Sequence, residues 1–185
     1  MKIFANRKFA ISIAVAAAVL ATLLGVRGSL NRLARDAEAT FYDGVYLKDE
    51  GYTQPAIDTY ISRRIDTALR LAAAMDAYPE LAGGAEALMS ARRSLSEAKS
   101  IREKFTENEK MQRVFVELVE KARGLELSER DREEVENCSS TFSGAQTAIQ
   151  NSRYNQHARS FMDGASILAR VLKPFLFVSQ PQVFA

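Results

Sequence analysis

The sequence has few of the residues from which catalytic and metal centres are built. It contains one cysteine and one histidine. Because a disulfide needs two cysteines, Cys138 cannot form one within the chain. The single histidine, His157, leaves most zinc sites and histidine-based catalytic arrangements without their side chains. It also lacks the Glu-x-x-His context of helical di-iron sites, and the chain has no glycine-rich phosphate loop. We therefore expect no catalytic residues, no cofactor and no metal, and a protein that is not an enzyme.

The chain also lacks an excess of charge of either sign. Three of its 25 basic side chains lie in the first eight residues, so the remainder carries 22 basic against 23 acidic side chains. A nucleic-acid-binding protein would be expected to present a clustered basic face. The charge balance therefore argues against nucleic acid as a partner.

Charge is completely missing from one stretch, residues 9–26, which has the sequence FAISIAVAAAVLATLLGV. As a helix it would measure about 27 Å, close to the thickness of a hydrocarbon core. A cleaved signal peptide is the alternative, but the run exceeds the usual apolar length and ends at Arg27 rather than at a small-residue cleavage site. We expect an uncleaved, single-pass transmembrane helix.

The flanking charges favour one orientation of this helix. Residues 1–8 include three basic side chains, which favours a cytoplasmic N-terminus, although three arginines also follow the span. We therefore expect a cell-membrane protein whose remaining domain lies outside the cytoplasm. Residues 27–53 would follow as a polar helix and then a loop in which Gly44, Gly51 and Pro55 interrupt helical structure.

The next part of the chain repeats apolar residues at helical spacing. We expect a first bundle helix that opens at Pro55 and a second from Glu80 to Lys104. A third would be capped by Thr106 and Glu109 and end at Gly124, and a fourth would be capped by Ser128 and Asp131. Their apolar stripes are Ile57, Ile61, Ile65, Ala68, Ala72 and Met75; Leu81, Ala85, Leu88, Leu95, Ala98 and Phe105; Met111, Val114, Phe115, Leu118 and Val119; and Val135, Cys138, Phe142, Ala145 and Ile149.

Short links between such helices favour antiparallel neighbours. The fold class is therefore all-α, with an N-terminal transmembrane helix followed by an antiparallel bundle of about four long helices in residues 54–172. Residues 173–185 form an apolar tail, which either packs on the bundle or faces the membrane or a partner.

The segment RYNQHARSFM, residues 153–162, marks a joint in the last helix. At about 100° per residue, Tyr154 and Phe161 fall about 120° away from the stripe that contains Phe142. Either one helix changes neighbours near residue 152 and lies on the extension of the membrane helix, or Asn151 and Ser152 break it. We interpret Tyr154 and Phe161 as core residues. Asn155 is either solvated or bonded to nearby backbone, or it makes a polar contact across a helix crossing or to a partner.

Arg64 is a charged residue inside the apolar stripe of the first bundle helix, at about 20° from Ile57 on a helical wheel. Its aliphatic stem could cover the core while the guanidinium reaches solvent or pairs with an acid on a facing helix. Alternatively, it is a receptor for a carboxylate or phosphate. Asp66 is expected to pair with Arg70, one helical turn away, on a solvated face.

Two of these segments resemble conserved patterns of the LemA family. Tyr154, Asn155 and Phe161 are similar to its Y-N-x-x-V-x-x-Y-N signature, with Ala158 and Met162 as departures. In the first bundle helix, the family's I-D-x-x-L-x-R-R-x-D pattern is matched by the residues Ile57, Asp58, Ile61, Arg63, Arg64 and Asp66. The apolar C-terminus, with Phe184 near its end, also resembles the family's tail.

The resemblance implies a membrane-anchored helical bundle and does not imply a reaction. We therefore predict a structural or interaction component of the bacterial cell envelope, which binds another envelope protein or a second copy of itself. The alternative is an extracytoplasmic sensor whose ligand, of unknown identity, would bind among Tyr42, Tyr46 and Tyr52 and which relays to a separate signalling partner.

Overall fold

The computed structural model describes residues 7–156, 158 and 159, and most of them are helical. The helices are α1 (Arg7–Asp43), α2 (Ile57–Met75), α3 (Pro79–Glu97), α4 (Ile101–Arg123) and α5 (Glu129–Gln150). A hairpin of two short strands, β1 (Val45–Leu47) and β2 (Tyr52–Gln54), stands between α1 and α2. The predicted all-α fold, with one long apolar N-terminal helix followed by a bundle of four, is confirmed.

The first helix runs without a break through the apolar span and the polar helix predicted to follow it, and it ends at Asp43. Its most apolar 18-residue window has a mean hydropathy of 2.5, and none of that window is buried. By length and composition, this helix can cross a membrane. The last turns of α1 are packed rather than exposed, because Ala37 and Phe41 are buried against the bundle. The helix therefore joins an exposed apolar segment to the packed domain.

The segment at residues 40–53, predicted as a loop, is instead the last turn of α1 and the hairpin. Gly44 ends the helix with a φ of +77°, where a side chain would be strained. The three-residue strands pair antiparallel, with Tyr46 opposite Thr53 and Leu47 opposite Tyr52. Strands this short offer too few residues for an alternating pattern to be recognised in the sequence.

The four bundle helices pack in the order α5, α2, α3, α4, and the seam at which α4 meets α5 has far fewer close backbone approaches than the other neighbouring pairs. The predicted stripes are largely buried, and that of α5 is buried at all five positions. Ile65, Ala98, Phe105 and Val114 are only half-buried. The interior of the bundle is therefore the core predicted from helical periodicity.

Two helix boundaries differ from the prediction. The second bundle helix ends at Glu97 rather than Lys104, and α4 begins at Ile101, ahead of the predicted cap at Thr106. Ser100 is the true cap, because its hydroxyl accepts a bond from the Glu103 N–H while the Glu103 carboxylate accepts one from the Ser100 N–H. This reciprocal pair satisfies two N–H groups at once.

The other predicted boundaries are closer to the structure. Ser128 caps α5 as predicted, since its hydroxyl accepts from the Asp131 N–H at 3.2 Å. Gly124 directly follows the last residue of α4. The first bundle helix begins at Ile57, two residues after the predicted start at Pro55.

Candidate functional site

The most unusual side chain of the bundle is Arg64, which is 0% exposed. It projects from the middle of α2 into the space between α4 and α5. Its guanidinium donates to the Asn108 amide oxygen at 2.6 Å. It also donates to the amide oxygens of Gln112 on α4 and Gln146 on α5.

One face of the same guanidinium lies on an aromatic stack. The Arg64 Cζ is 3.9 Å from the centroid of the Phe142 ring. That ring stacks on Phe115 of α4, with centroids 3.7 Å apart and an angle of 2° between planes. A cation over a desolvated ring is attracted by the ring quadrupole, so the stack helps to hold the charge in the core.

No carboxylate lies within ion-pair distance of Arg64 among the described residues. Burial lowers the pKa of Arg64 to about 9, but a guanidinium stays protonated at neutral pH. Its Nε has no hydrogen-bond partner among the residues that the structure describes. The expectation that the guanidinium reaches solvent or pairs with an acid is therefore wrong, because neutral amides surround it.

The other residues of the predicted α2 motif lie on different faces of the helix. Ile57 belongs to the core. Asp58 forms an ion pair with Lys104 of α4, and Arg63 and Asp66 are exposed. These charges therefore do not converge with Arg64 on one site.

The expected pair of Asp66 with Arg70 is not formed. Arg70 instead pairs with Glu134 of α5 at 2.7 Å. A carboxylate on a neighbouring helix thus replaces the one expected from the same helix.

At the predicted joint, α5 ends at Gln150 and a new helical segment begins at Arg153. Asn155 is 1% exposed, and its amide donates to the carbonyl oxygens of Ile149 at 2.7 Å and Gln150 at 3.3 Å. These carbonyls belong to the last turn of α5, where no further helical N–H follows, and that of Ile149 also accepts from the Ser152 N–H at 3.2 Å. Asn155 is therefore a buried capping residue with local backbone partners, and it is not solvated.

The new segment also contacts α1. Tyr154 is fully buried, and its ring lies edge-on to that of Phe41, with centroids 5.4 Å apart. The second predicted alternative is the correct one, because Asn151 and Ser152 break the helix, and the single continuous helix of the first alternative is wrong. The packing of Tyr154 on the extension of α1, which belonged to the first alternative, is nevertheless present. Phe161, Phe184, His157 and the tail at 173–185 lie outside the described residues.

The three tyrosines of the predicted ligand pocket do not converge. Cross-strand partners in an antiparallel hairpin share a face, and successive residues alternate between faces. Tyr46 is therefore on the face of Thr53, and Tyr52 is on the opposite face with Leu47. A depression of about 220 Å³ beside the hairpin is lined by residues 45–50 and Arg153, so Tyr46 alone of the three contributes to it.

Cys138 is buried on α5, as its place in the stripe predicts. Burial, together with the nearby Glu134 carboxylate at 3.4 Å, raises the pKa of its thiol to about 12. At neutral pH the thiol is therefore protonated and is a poor nucleophile.

Sequence reasoning missed the three amide side chains that surround Arg64. Asn108 precedes Met111 and Phe115 at helical spacing and is buried with them. A polar residue on this apolar stripe is therefore a sequence signal for a buried polar contact. The predicted helix start at Thr106 placed Asn108 in a first turn and hid this pattern. Comparison with protein-family models, with curated proteins and with solved structures gave no match.

Proposed function

We propose that this chain is a non-catalytic, membrane-anchored scaffold of the bacterial cell envelope, whose bundle binds a second envelope protein or a second copy of the chain. The observation that carries the proposal is the continuity of α1. The helix begins as an unburied apolar segment and, without a break, ends packed in the bundle at Phe41. A bundle attached in this way keeps a defined distance from a membrane.

Polar contacts reinforce this attachment at the end of α1. Lys104 of α4 pairs with Asp58 of α2, and its ammonium lies 5.3 Å from the centroid of the Tyr42 ring. On the other side, the Arg153 N–H donates to the Gln54 side chain at 2.8 Å. Lys104 thus joins the end of α1 to α4 and α2, and the Arg153 bond ties the hairpin that follows α1 to the segment after α5, as a rigid support requires.

The orientation of the anchor is part of the proposal. Three basic residues precede the apolar run, which favours a cytoplasmic N-terminus and a bundle on the outer side. The resemblance to the LemA family supports the same arrangement through the α2 motif and the segment around Tyr154. A sensor that binds its ligand among the three tyrosines is less well supported, because Tyr46 and Tyr52 lie on opposite faces of the hairpin.

The test is crosslinking in intact cells with a membrane-impermeant, amine-reactive reagent on the full chain. Lys110 and Lys121 of the bundle have side chains 51% and 58% exposed, and Lys99 is also exposed. We expect these lysines to react in intact cells. Lys2 and Lys8, on the other side of the proposed span, should react only after lysis.

The crosslinked products then identify the role. Links from bundle lysines to one envelope protein, lost when the three lysines are changed to arginine, would support docking. Links only between copies would support self-assembly. The outward orientation would be contradicted if the bundle lysines stayed unmodified in intact cells; reaction of Lys2 and Lys8 after lysis is the internal control. Docking would be contradicted if the bundle lysines were modified but formed no crosslink.

A further inference from the structure

The guanidinium of Arg64 is a buried positive charge, and its hydrogen-bonding shell within residues 7–156, 158 and 159 contains no negative charge. Its three partners are amide oxygens, which carry only partial charge. A buried charge is much better compensated by a carboxylate with good hydrogen-bond geometry than by neutral dipoles. The Nε of Arg64, which no described residue accepts from, adds a donor that this shell does not use.

Two of the three amides stand between Arg64 and solvent. Gln112 and Gln146 are partly exposed, whereas Asn108 is 4% exposed. Gln112 extends from α4 and Gln146 from α5, so the two amides approach Arg64 from different helices. We take the seam between these two helices as the route by which a ligand would reach the guanidinium once one of the glutamine side chains turns outward.

We propose that Arg64 is a receptor for a carboxylate group, which enters at the seam between α4 and α5 and replaces the amide oxygen of Gln112 or Gln146. A carboxylate has nearly the shape of a carboxamide, so it fits the position that the glutamine amide leaves when that side chain turns outward. It accepts from a guanidinium through two parallel bonds, for which Nε and a terminal nitrogen are suitably placed. A phosphate is bulkier than the displaced amide and fits this exchange less well.

The proposed carboxylate site lies inside the bundle, so it does not depend on the membrane scaffold proposed above. The carboxylate has two possible sources, a small free anion or the acidic side chain of a bound polypeptide. The same chemistry serves both, and the two arms of the experiment distinguish them.

The first arm supplies the carboxylate within the chain by the substitution Gln112→Glu. The full chain in phosphatidylcholine nanodiscs is heated at pH 7, and helix loss is followed by circular dichroism. We expect Gln112→Glu to raise Tm by about 3 °C. The gain should vanish when Gln112→Glu is combined with Arg64→Met. Gln150→Glu, at an exposed position of α5, should give no gain and controls for the added charge.

The second arm supplies a free carboxylate to the same preparation. Sodium acetate is compared with sodium chloride at equal ionic strength, and we expect acetate to raise Tm of the wild type, since a ligand that binds the native state stabilises it. The increase should persist in Arg63→Met, which removes the exposed neighbouring arginine, and disappear in Arg64→Met and in Gln112→Glu.

The outcomes separate the sources of the carboxylate. An Arg64-dependent acetate effect would show that a free carboxylate reaches the guanidinium. A gain in Gln112→Glu without an acetate effect would show that the guanidinium binds a carboxylate only when a polypeptide side chain holds it in place. The absence of both effects would overturn the proposal. If Arg64→Met does not fold, the proposal is tested by the Tm values of Gln112→Glu and Gln150→Glu in sodium acetate and in sodium chloride. A higher Tm for Gln112→Glu alone would support it, and equal Tm values would overturn it.

Discussion

Phe41 in the last turn of α1 and Tyr154 after the end of α5 are in edge-on contact, with ring centroids 5.4 Å apart and planes at 70°. Both side chains are 0% exposed. The contact joins two segments more than a hundred residues apart in the chain. It is the point at which the long apolar helix and the end of the bundle become one packed unit.

Phe41→Ala should therefore destabilise the bundle by about 3–4 kcal/mol, as expected when a buried ring is removed from a close-packed core. Urea unfolding of the full chain in a mild detergent, followed by circular dichroism, measures this loss. Tyr46→Ala removes a ring that is 60% exposed and should change stability by less than about 0.5 kcal/mol. Similar losses in both variants would contradict the structural role given to Phe41.

Asn155→Ala should cost about 1–3 kcal/mol, because the carbonyl groups of Ile149 and Gln150 would lose a buried donor. Asn155→Asp should also destabilise, since an ionised carboxylate cannot donate. Asn137→Ala, at an exposed position within α5, should be neutral or slightly stabilising. Faster hydrogen exchange confined to residues 149–156 in the Asn155 variants would locate the effect. Unchanged exchange there would mean that the cap is dispensable.

Gly44→Ala should be more damaging than Gly51→Ala, although both glycines have positive φ. A Cβ at position 44 would lie 2.4 Å from the Gln54 carbonyl oxygen, whereas at position 51 it would meet open space. We expect a loss of about 1–2 kcal/mol for Gly51→Ala from the left-handed backbone alone, and a larger loss for Gly44→Ala. Equal losses would indicate that the close approach at Gly44 relaxes easily.

The cap of α5 should make stability depend on pH. Hydrogen bonds from the hydroxyls of Ser128 and Tyr78 lower the pKa of Asp131 below its ordinary value. A lowered pKa in the folded state means that the ionised carboxylate stabilises the protein above the unfolded-state pKa of about 4. This contribution is lost as pH falls through the lower, folded-state pKa.

Asp131→Asn should therefore destabilise the protein at pH 7, and its difference from the wild type should shrink as pH falls below the unfolded-state pKa of about 4. Tyr78→Phe should show part of the same effect. Asp66→Asn, at an exposed carboxylate on α2, serves as the control. A difference that stays constant with pH would show that the Asp131 charge is not what stabilises the cap.

Much of this fold could be predicted from the sequence, because the apolar stripes of the four bundle helices are regular and their burial follows from helical geometry. The caps were less certain. Ser100 with Glu103 and Thr106 with Glu109 both fit the capping-box pattern, and local sequence alone cannot choose between them. The structure uses the first pair and ends α3 at Glu97.

The site was harder to predict than the fold. The sequence placed Arg64 inside the apolar stripe, but its partners Asn108 and Gln146 are separated from it by 44 and 82 residues. Only the packing of three helices brings them together. The same is true of Phe41 and Tyr154, whose contact depends on where α5 breaks.

The unbroken course of α1 has a mechanical consequence. From residue 27 to residue 43 the helix is about 25 Å long, and transmembrane helices tilt by about 20° in bilayers. In a membrane, such a tilt would swing the far end of this lever arm sideways by about 9 Å. Because the arm is fixed to the bundle at Phe41, a change in bilayer thickness would become a lateral displacement of the whole domain.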